Sequence, residues 1–128
     1  MKTIKRNADR YIIFGRAEAP DICQIPGVLA DISKAGCKLR FPLPVSIDMD
    51  YDYTVRITFS ENTKTIPFVL ICHPQWVKEE NGSTEIGCTF LRSPDTARLL
   101  EYVQKLKNEE DDYRNSENFV IEDVCQFV

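Results

Sequence analysis

From about residue 11 to residue 90 the chain alternates hydrophobic and polar positions in short runs, broken by turn residues at roughly ten-residue spacing, which predicts antiparallel β-structure. Tyr11 to Ala17 is the first strand candidate. In the second, Val28, Ala30 and Ile32 alternate with Leu29, Asp31 and Ser33; this predicts that the first three fill the core and that Asp31 and Ser33 point outward together. Cys37, Leu39 and Phe41 alternate with Lys38 and Arg40 until Pro42 and Pro44 end the run. A turn at Lys34-Ala35-Gly36 makes these two strands an antiparallel pair. Val55, Ile57 and Phe59 form the next alternation, and Glu61-Asn62-Thr63 reads as the loop into a strand from Ile66 to Cys72. Pro67 and Pro74 signal an edge, a bulge or a bend there. Asn81-Gly82 is the signature of a tight hairpin, with Ile86, Cys88 and Phe90 alternating beyond it. About six short strands predict a small antiparallel barrel.

After Ser93 the period changes. Ser93-Pro94-Asp95 supplies an N-cap, a proline for the first turn and an acid suited to the helix dipole, so a helix is predicted from about Pro94 to Asn108. Leu99, Leu100, Val103 and Leu106 give it one apolar face for packing on the barrel. Residues 1–108 thus read as one domain, of which 1–10 form a flexible basic lead-in. Residues 109–128 read as an acidic linker or frayed helix end followed by a short amphipathic tail of Val120, Ile121, Val124 and Phe127. That tail is too short to be stable alone, so it packs on its own domain or makes a homodimer or partner contact.

Composition narrows the class. The 128 residues, 43 % of them hydrophobic, suffice for one modest core. No apolar run approaches the ~18 residues of a membrane span, and the basic start has no apolar segment behind it to make a signal peptide, so a cytoplasmic protein is expected. Five cysteines without a Cys-x-x-Cys pair argue against a disulfide framework or a zinc ribbon and for buried thiols. The net charge of −4 is uneven. Lys2, Lys5, Arg6, Arg10 and Arg16 stand against Asp9 at the head, whereas seven acids stand against Arg114 after residue 108. A small anion near the head suits this pattern better than a nucleic acid polymer across the surface.

Two short motifs carry candidate chemistry. Arg6-x-x-x-Arg10 places two planar guanidinium forks before the first strand, each able to bind phosphate oxygens bidentately or to stack on a purine. Asp31-x-Ser33-x-x-Gly36 places a carboxylate and a hydroxyl where they can accept the N1 and N2 protons of a guanine, with a glycine that allows close backbone approach. The same residues also read as a capped β-turn, Asp31 and Ser33 bonding local amides. Trp76 reads as part of a stacking wall or as a core or rim residue. His73 has no ligand partners at metal-binding spacing, and the chain has neither a nucleophile motif nor a glycine-rich phosphate loop, so no enzyme, metal or cofactor is expected.

Together, the two motifs in this order, followed by Gly87-x-x-Phe90 in a late strand and a C-terminal helix, resemble the PilZ domain family over roughly residues 4 to 107. The resemblance implies a six-stranded PilZ-type barrel that binds the bacterial second messenger cyclic di-GMP. It implies that Arg6 and Arg10 grip phosphate and guanine, that Asp31 and Ser33 read the other guanine, and that Gly36 shapes the turn. Lys5 stands where relatives that bind an intercalated ligand dimer often have an arginine, and a lysine lacks that fork. The expected mechanism is ordering of the lead-in by a dianionic ligand, which changes a surface read by a downstream protein. The alternatives are a PilZ-like adaptor that binds no nucleotide and, from another class, a small-barrel nucleic-acid binder, which the acidic tail and a pI near 5.0 disfavour.

Overall fold

The alternating runs pair as the period-two pattern requires. The computed structural model describes residues 6–7, 10–59 and 66–127, with side chains from 10 to 59 and from 66 to 113. Its strands are β1 (Arg6–Asn7), β2 (Arg10–Tyr11), β3 (Gly15–Glu18), β4 (Gly27–Ile32), β5 (Gly36–Phe41), β6 (Tyr53–Phe59), β7 (Phe68–Glu80) and β8 (Ser83–Phe90), followed by helix α1 (Thr96–Phe127). Neighbours run β4-β3-β6-β7-β8-β5, and β5 pairs back on β4, so six antiparallel strands close into a barrel. Closure leaves the ring no open edge. Leu29, Leu39, Phe41, Val55, Ile57, Leu70 and Ile86 fill the interior and are fully buried. The short β2 adds to the end of β4, with Tyr11 opposite Ile32, and β1 folds back on β2 with Arg6 opposite Tyr11. The loop expected at residues 61–63 lies outside the described residues.

A bulge in β4 overturns part of the expected facing. Leu29 pairs with Leu39, but the register then shifts, so Asp31 pairs with Lys38 and Ile32 with Cys37. An extra residue in one strand reverses which face later side chains take. Val28 is therefore exposed and Ala30 only half-buried, while Leu29 and Ile32 occupy the core. Ser33 is buried and does not point outward beside Asp31. Strict alternation failed here because a bulge leaves no mark in a hydrophobic pattern that is apolar at both parities.

The long hairpin of β7 and β8 follows the sequence closely. Asn81 and Gly82 both take positive φ, 54° and 82°, the conformation that a two-residue hairpin turn needs and that glycine adopts without a steric penalty. Pro74 lies at a register shift, where Gln75 is the additional residue between the pairs Pro74–Cys88 and Trp76–Gly87. A proline cannot donate to the ladder, so a bulge is one of the few places inside a sheet that tolerates it.

Helix α1 begins at Thr96, two residues later than expected, and continues through Phe127 instead of ending near Asn108. Asp95 is its N-cap: its carbonyl accepts the Leu99 N–H at 2.9 Å. The Asp95 carboxylate turns away to accept the Val69 N–H at 2.7 Å, and the Ser93 hydroxyl accepts the Ile71 N–H at 2.7 Å. Both side chains thus fasten the helix entry to β7. Leu99, Val103 and Leu106 are buried, as their spacing predicts, but Leu100 is exposed. Tyr102 stacks on Phe59 with centroids 4.2 Å apart.

Candidate ligand site

The turn between β4 and β5 is built by Ser33. Its hydroxyl accepts the N–H groups of Ala35 and Gly36 at 3.1 and 3.2 Å and donates to the Gly36 carbonyl at 3.3 Å. The Ser33 N–H also donates to that carbonyl, at 2.8 Å. This is the capped-turn arrangement, and it engages the hydroxyl's donor and lone pairs within the turn. Gly36 has a steric reason to be glycine, because a Cβ there would collide with the Cys88 carbonyl on β8.

Asp31 stands free of the turn bonds. Its Oδ1 accepts a 2.6 Å hydrogen bond from Arg10 Nη1, across 21 residues of sequence. Its Oδ2 lies 3.8 Å from Lys38 Nζ on the facing strand. The two sequence motifs are therefore joined by one ion pair, at which the Asp31 side chain is 14 % exposed and Arg10 is 43 % exposed. The Arg10 side chain has no other hydrogen-bond partner among the described residues. Arg6 lies on β1 four residues before Arg10, the start of β2, but its side chain, like the whole of Lys5, lies outside the described residues.

This pair forms one side of an open cavity of about 300 Å³, lined also by Lys38, Gln75, Trp76, Gly87 and Thr89. Trp76 is 43 % exposed, which removes the core reading and places its indole on the cavity wall. It lies over Gly87, where a Cβ would collide with the ring, so the glycine of Gly87-x-x-Phe90 is what lets the indole lie flat against β8. Gln75 Nε2 donates to Thr89 Oγ1 at 3.0 Å on the same wall. Cations, amide donors, a carboxylate and an aromatic face thus converge where a planar, anionic ligand would find each complement it needs. A larger cavity of about 420 Å³ is lined by Asp21, Asp48 and Asp52 and has the wrong sign for such a ligand.

Sequence reasoning missed Lys38, Gln75 and Thr89. Lys38 is the first outward residue after the motif turn and was legible in principle, whereas Gln75 reaches the cavity through the β7 bulge. Cys37 and Cys88 lie directly behind the wall, opposite each other on β5 and β8. Hydrogen bonds with Cys72 and Cys88, together with burial, hold the Cys37 thiol well above its ordinary value. A thiol kept protonated in this way is no nucleophile at neutral pH. Cys23, Cys37, Cys72 and Cys88 are all free and buried, as expected. His73 Nδ1 lies 2.9 Å from Asp52 Oδ1 at the surface, and the described residues hold no cluster arranged for a metal ion.

A closed six-stranded barrel, followed by a C-terminal helix and bearing an arginine-aspartate cluster beside its β4–β5 turn, defines a small β-barrel domain with a candidate ligand site. The family comparison names it: the PilZ domain profile matches residues 5–105, and the chain belongs to the PilZ domain family. Among solved structures, the chain is similar to the inhibitor of motility MotI/DgrA of Bacillus subtilis, with a TM-score of 0.60 and 14 % identity, covering 85 % of this chain and 54 % of that one. It is also similar to MrkH of K. pneumonia in its apo state, with a TM-score of 0.57 and 15 % identity, covering 88 % of this chain and 52 % of that one. At these identities the likeness is one of fold, and this chain spans about half the length of both proteins. No curated protein matches the chain. No helix of the described residues is long and apolar enough to cross a membrane.

Proposed function

We propose that the chain is a receptor for cyclic di-GMP that passes ligand occupancy to a protein partner. The observation that supports this most is the Arg10–Asp31 pair, which unites the two family motifs at the rim of a cavity faced by Trp76. In this reading Arg10, with Arg6, takes the phosphodiester and a guanine face, because guanidinium forks bind phosphate bidentately and stack on purines. Asp31 accepts the N1 and N2 protons of a guanine. Ser33 and Gly36 contribute through the turn: the serine holds its shape and the glycine allows β5 to approach β8. Trp76 offers a stacking surface beside them. Lys5, which lacks the fork of an arginine, would add one cation beside them, and the titration below reads how many nucleotides bind.

Binding would exchange the Arg10–Asp31 contact for contacts to ligand and thereby redirect the lead-in, the surface change a partner reads. The C-terminal part of α1, strongly acidic after Asn108, is the proposed place for that partner or for a second copy of the chain.

Isothermal titration of the chain with cyclic di-GMP, with GTP as competitor, tests this reading. Saturable heat that Arg10→Ala weakens tenfold or more is expected, since a charge-assisted hydrogen bond contributes about 1.5 to 3 kcal/mol. Absence of heat from folded protein at several temperatures would overturn it and leave an adaptor that binds no nucleotide.

A further inference from the structure

Lys38 belongs to neither motif, yet three features of the fold converge on it. The bulge in β4 shifts the register so that Asp31 faces Lys38; continued from Leu29–Leu39 without the shift, the ladder would set Asp31 against Cys37. Lys38 is at the same time the register partner of Gly87 on β8, so its backbone is held from both sides within the closed barrel. Its ammonium group then lies 3.8 Å from Asp31 Oδ2 while Arg10 occupies Oδ1 at 2.6 Å. One carboxylate thus has two cations, one on each oxygen.

The two cations differ in what they can do next. Arg10 sits on a two-residue strand and carries a fork that matches a phosphodiester, whereas Lys38 sits in the ring and is fixed there. When a phosphodiester draws Arg10 away, Asp31, largely shielded from water, would lose its nearest counter-charge unless another remains. A partly buried carboxylate without a partner is unfavourable and is free to turn from its productive direction.

We infer that Lys38 is the positioning residue of the site: it keeps hold of Asp31 Oδ2 when Arg10 leaves, so that Oδ1 is presented, charged and aimed, to a guanine edge. Lys38 therefore governs selection of guanine over adenine and not the grip on phosphate. This rests on the receptor reading above.

The test compares cyclic di-GMP with cyclic di-AMP, which carries the same phosphodiesters but offers no pair of donors at that edge of the base. Lys38→Met is expected to weaken cyclic di-GMP binding on the order of tenfold, to leave the weak binding of cyclic di-AMP unchanged, and to be rescued by Lys38→Arg. In an Asp31→Asn background, Lys38→Met is expected to have no further effect. Circular dichroism and thermal melting of each variant confirm the fold. Equal losses for both ligands, or additive effects of the two substitutions, would make Lys38 a phosphate contact and overturn the inference. Wild-type binding that Lys38→Met leaves untouched overturns this inference alone. A wild-type chain that binds no cyclic di-GMP overturns the receptor reading and this inference with it.

Discussion

Arg10–Asp31 and Arg98–Asp95 are two arginine-aspartate pairs of similar exposure, 43 % and 14 % in the first against 35 % and 19 % in the second. Their surroundings differ. The Arg98 guanidinium lies 3.3 Å from Asp95 Oδ1, donates to the carbonyls of Ile66 and Pro67, and sits 4.1 Å from the Phe68 ring centroid. That ring in turn packs edge-on against Phe59, with Tyr102 beside it. Both terminal nitrogens of the Arg98 fork are engaged and its plane lies over a ring, and the result is a clamp that fastens α1 to the start of β7. Arg10 makes a shorter bond to its aspartate, lines an open cavity, and among the described residues its fork has no further partner. Donors without a partner among the described residues, set at a cavity, distinguish a candidate binding site from a structural contact more than the strength of an ion pair does.

The contrast can be broken from either side. The largest effect is expected at the clamp's hydrophobic base, where Leu99→Ala should cost about 2 to 5 kcal/mol, read as a fall in the denaturant midpoint. Affinity for ligand, extrapolated to fully folded protein, should be unaffected; a parallel loss of affinity would join the two regions. Next comes Arg98→Ala, for which a loss of about 1 kcal/mol is expected after allowance for its partial exposure. Arg10→Ala should instead change stability by less than about 0.5 kcal/mol while abolishing most ligand heat. Equal destabilisation by the two alanine substitutions would erase the distinction.

The smallest effect is in the acid range. The Val69 N–H, and after it Arg98, hold the Asp95 carboxyl below its ordinary value. A depressed pKa contributes stability that is fully present above the unfolded value near 3.9 and is lost as pH falls through the folded value. Wild type and Asp95→Asn should therefore differ most at neutral pH and converge below about pH 4 in denaturant titrations. A gap that stayed constant down to pH 2 would remove the charge from the account.

Much of this arrangement was legible in the sequence. The strands β5, β6 and β8 carry unbroken alternation, and Asn81-Gly82 left one conformation for the hairpin, so their faces followed directly. The site was legible as two motifs, but not as a geometry. Nothing local joins Arg10 to Asp31, since their contact depends on β2 pairing with the end of β4. The β4 bulge was hidden because Val28, Leu29, Ala30 and Ile32 are all apolar, which lets either parity fill the core. Ser33 was misplaced for the same reason, and its burial follows from the bulge. Helix α1 outran its expected end because the acidic residues after Asn108 carry no glycine or proline to stop it.

The three thiols of Cys37, Cys72 and Cys88, gathered in the barrel beside the cavity wall, have a use apart from any contact with a ligand. Shut away from solvent, they react with an aromatic disulfide reagent only when the strands around them part, so in a variant with Cys23 and Cys125 replaced by serine the rate of colour release is a clock for local opening. Because Cys37 and Cys88 lie opposite each other on β5 and β8, the clock reads the seam that carries Lys38 and Gly87. A nucleotide that bridges this seam would slow the clock in proportion to its occupancy, giving a label-free meter of breathing in the native barrel.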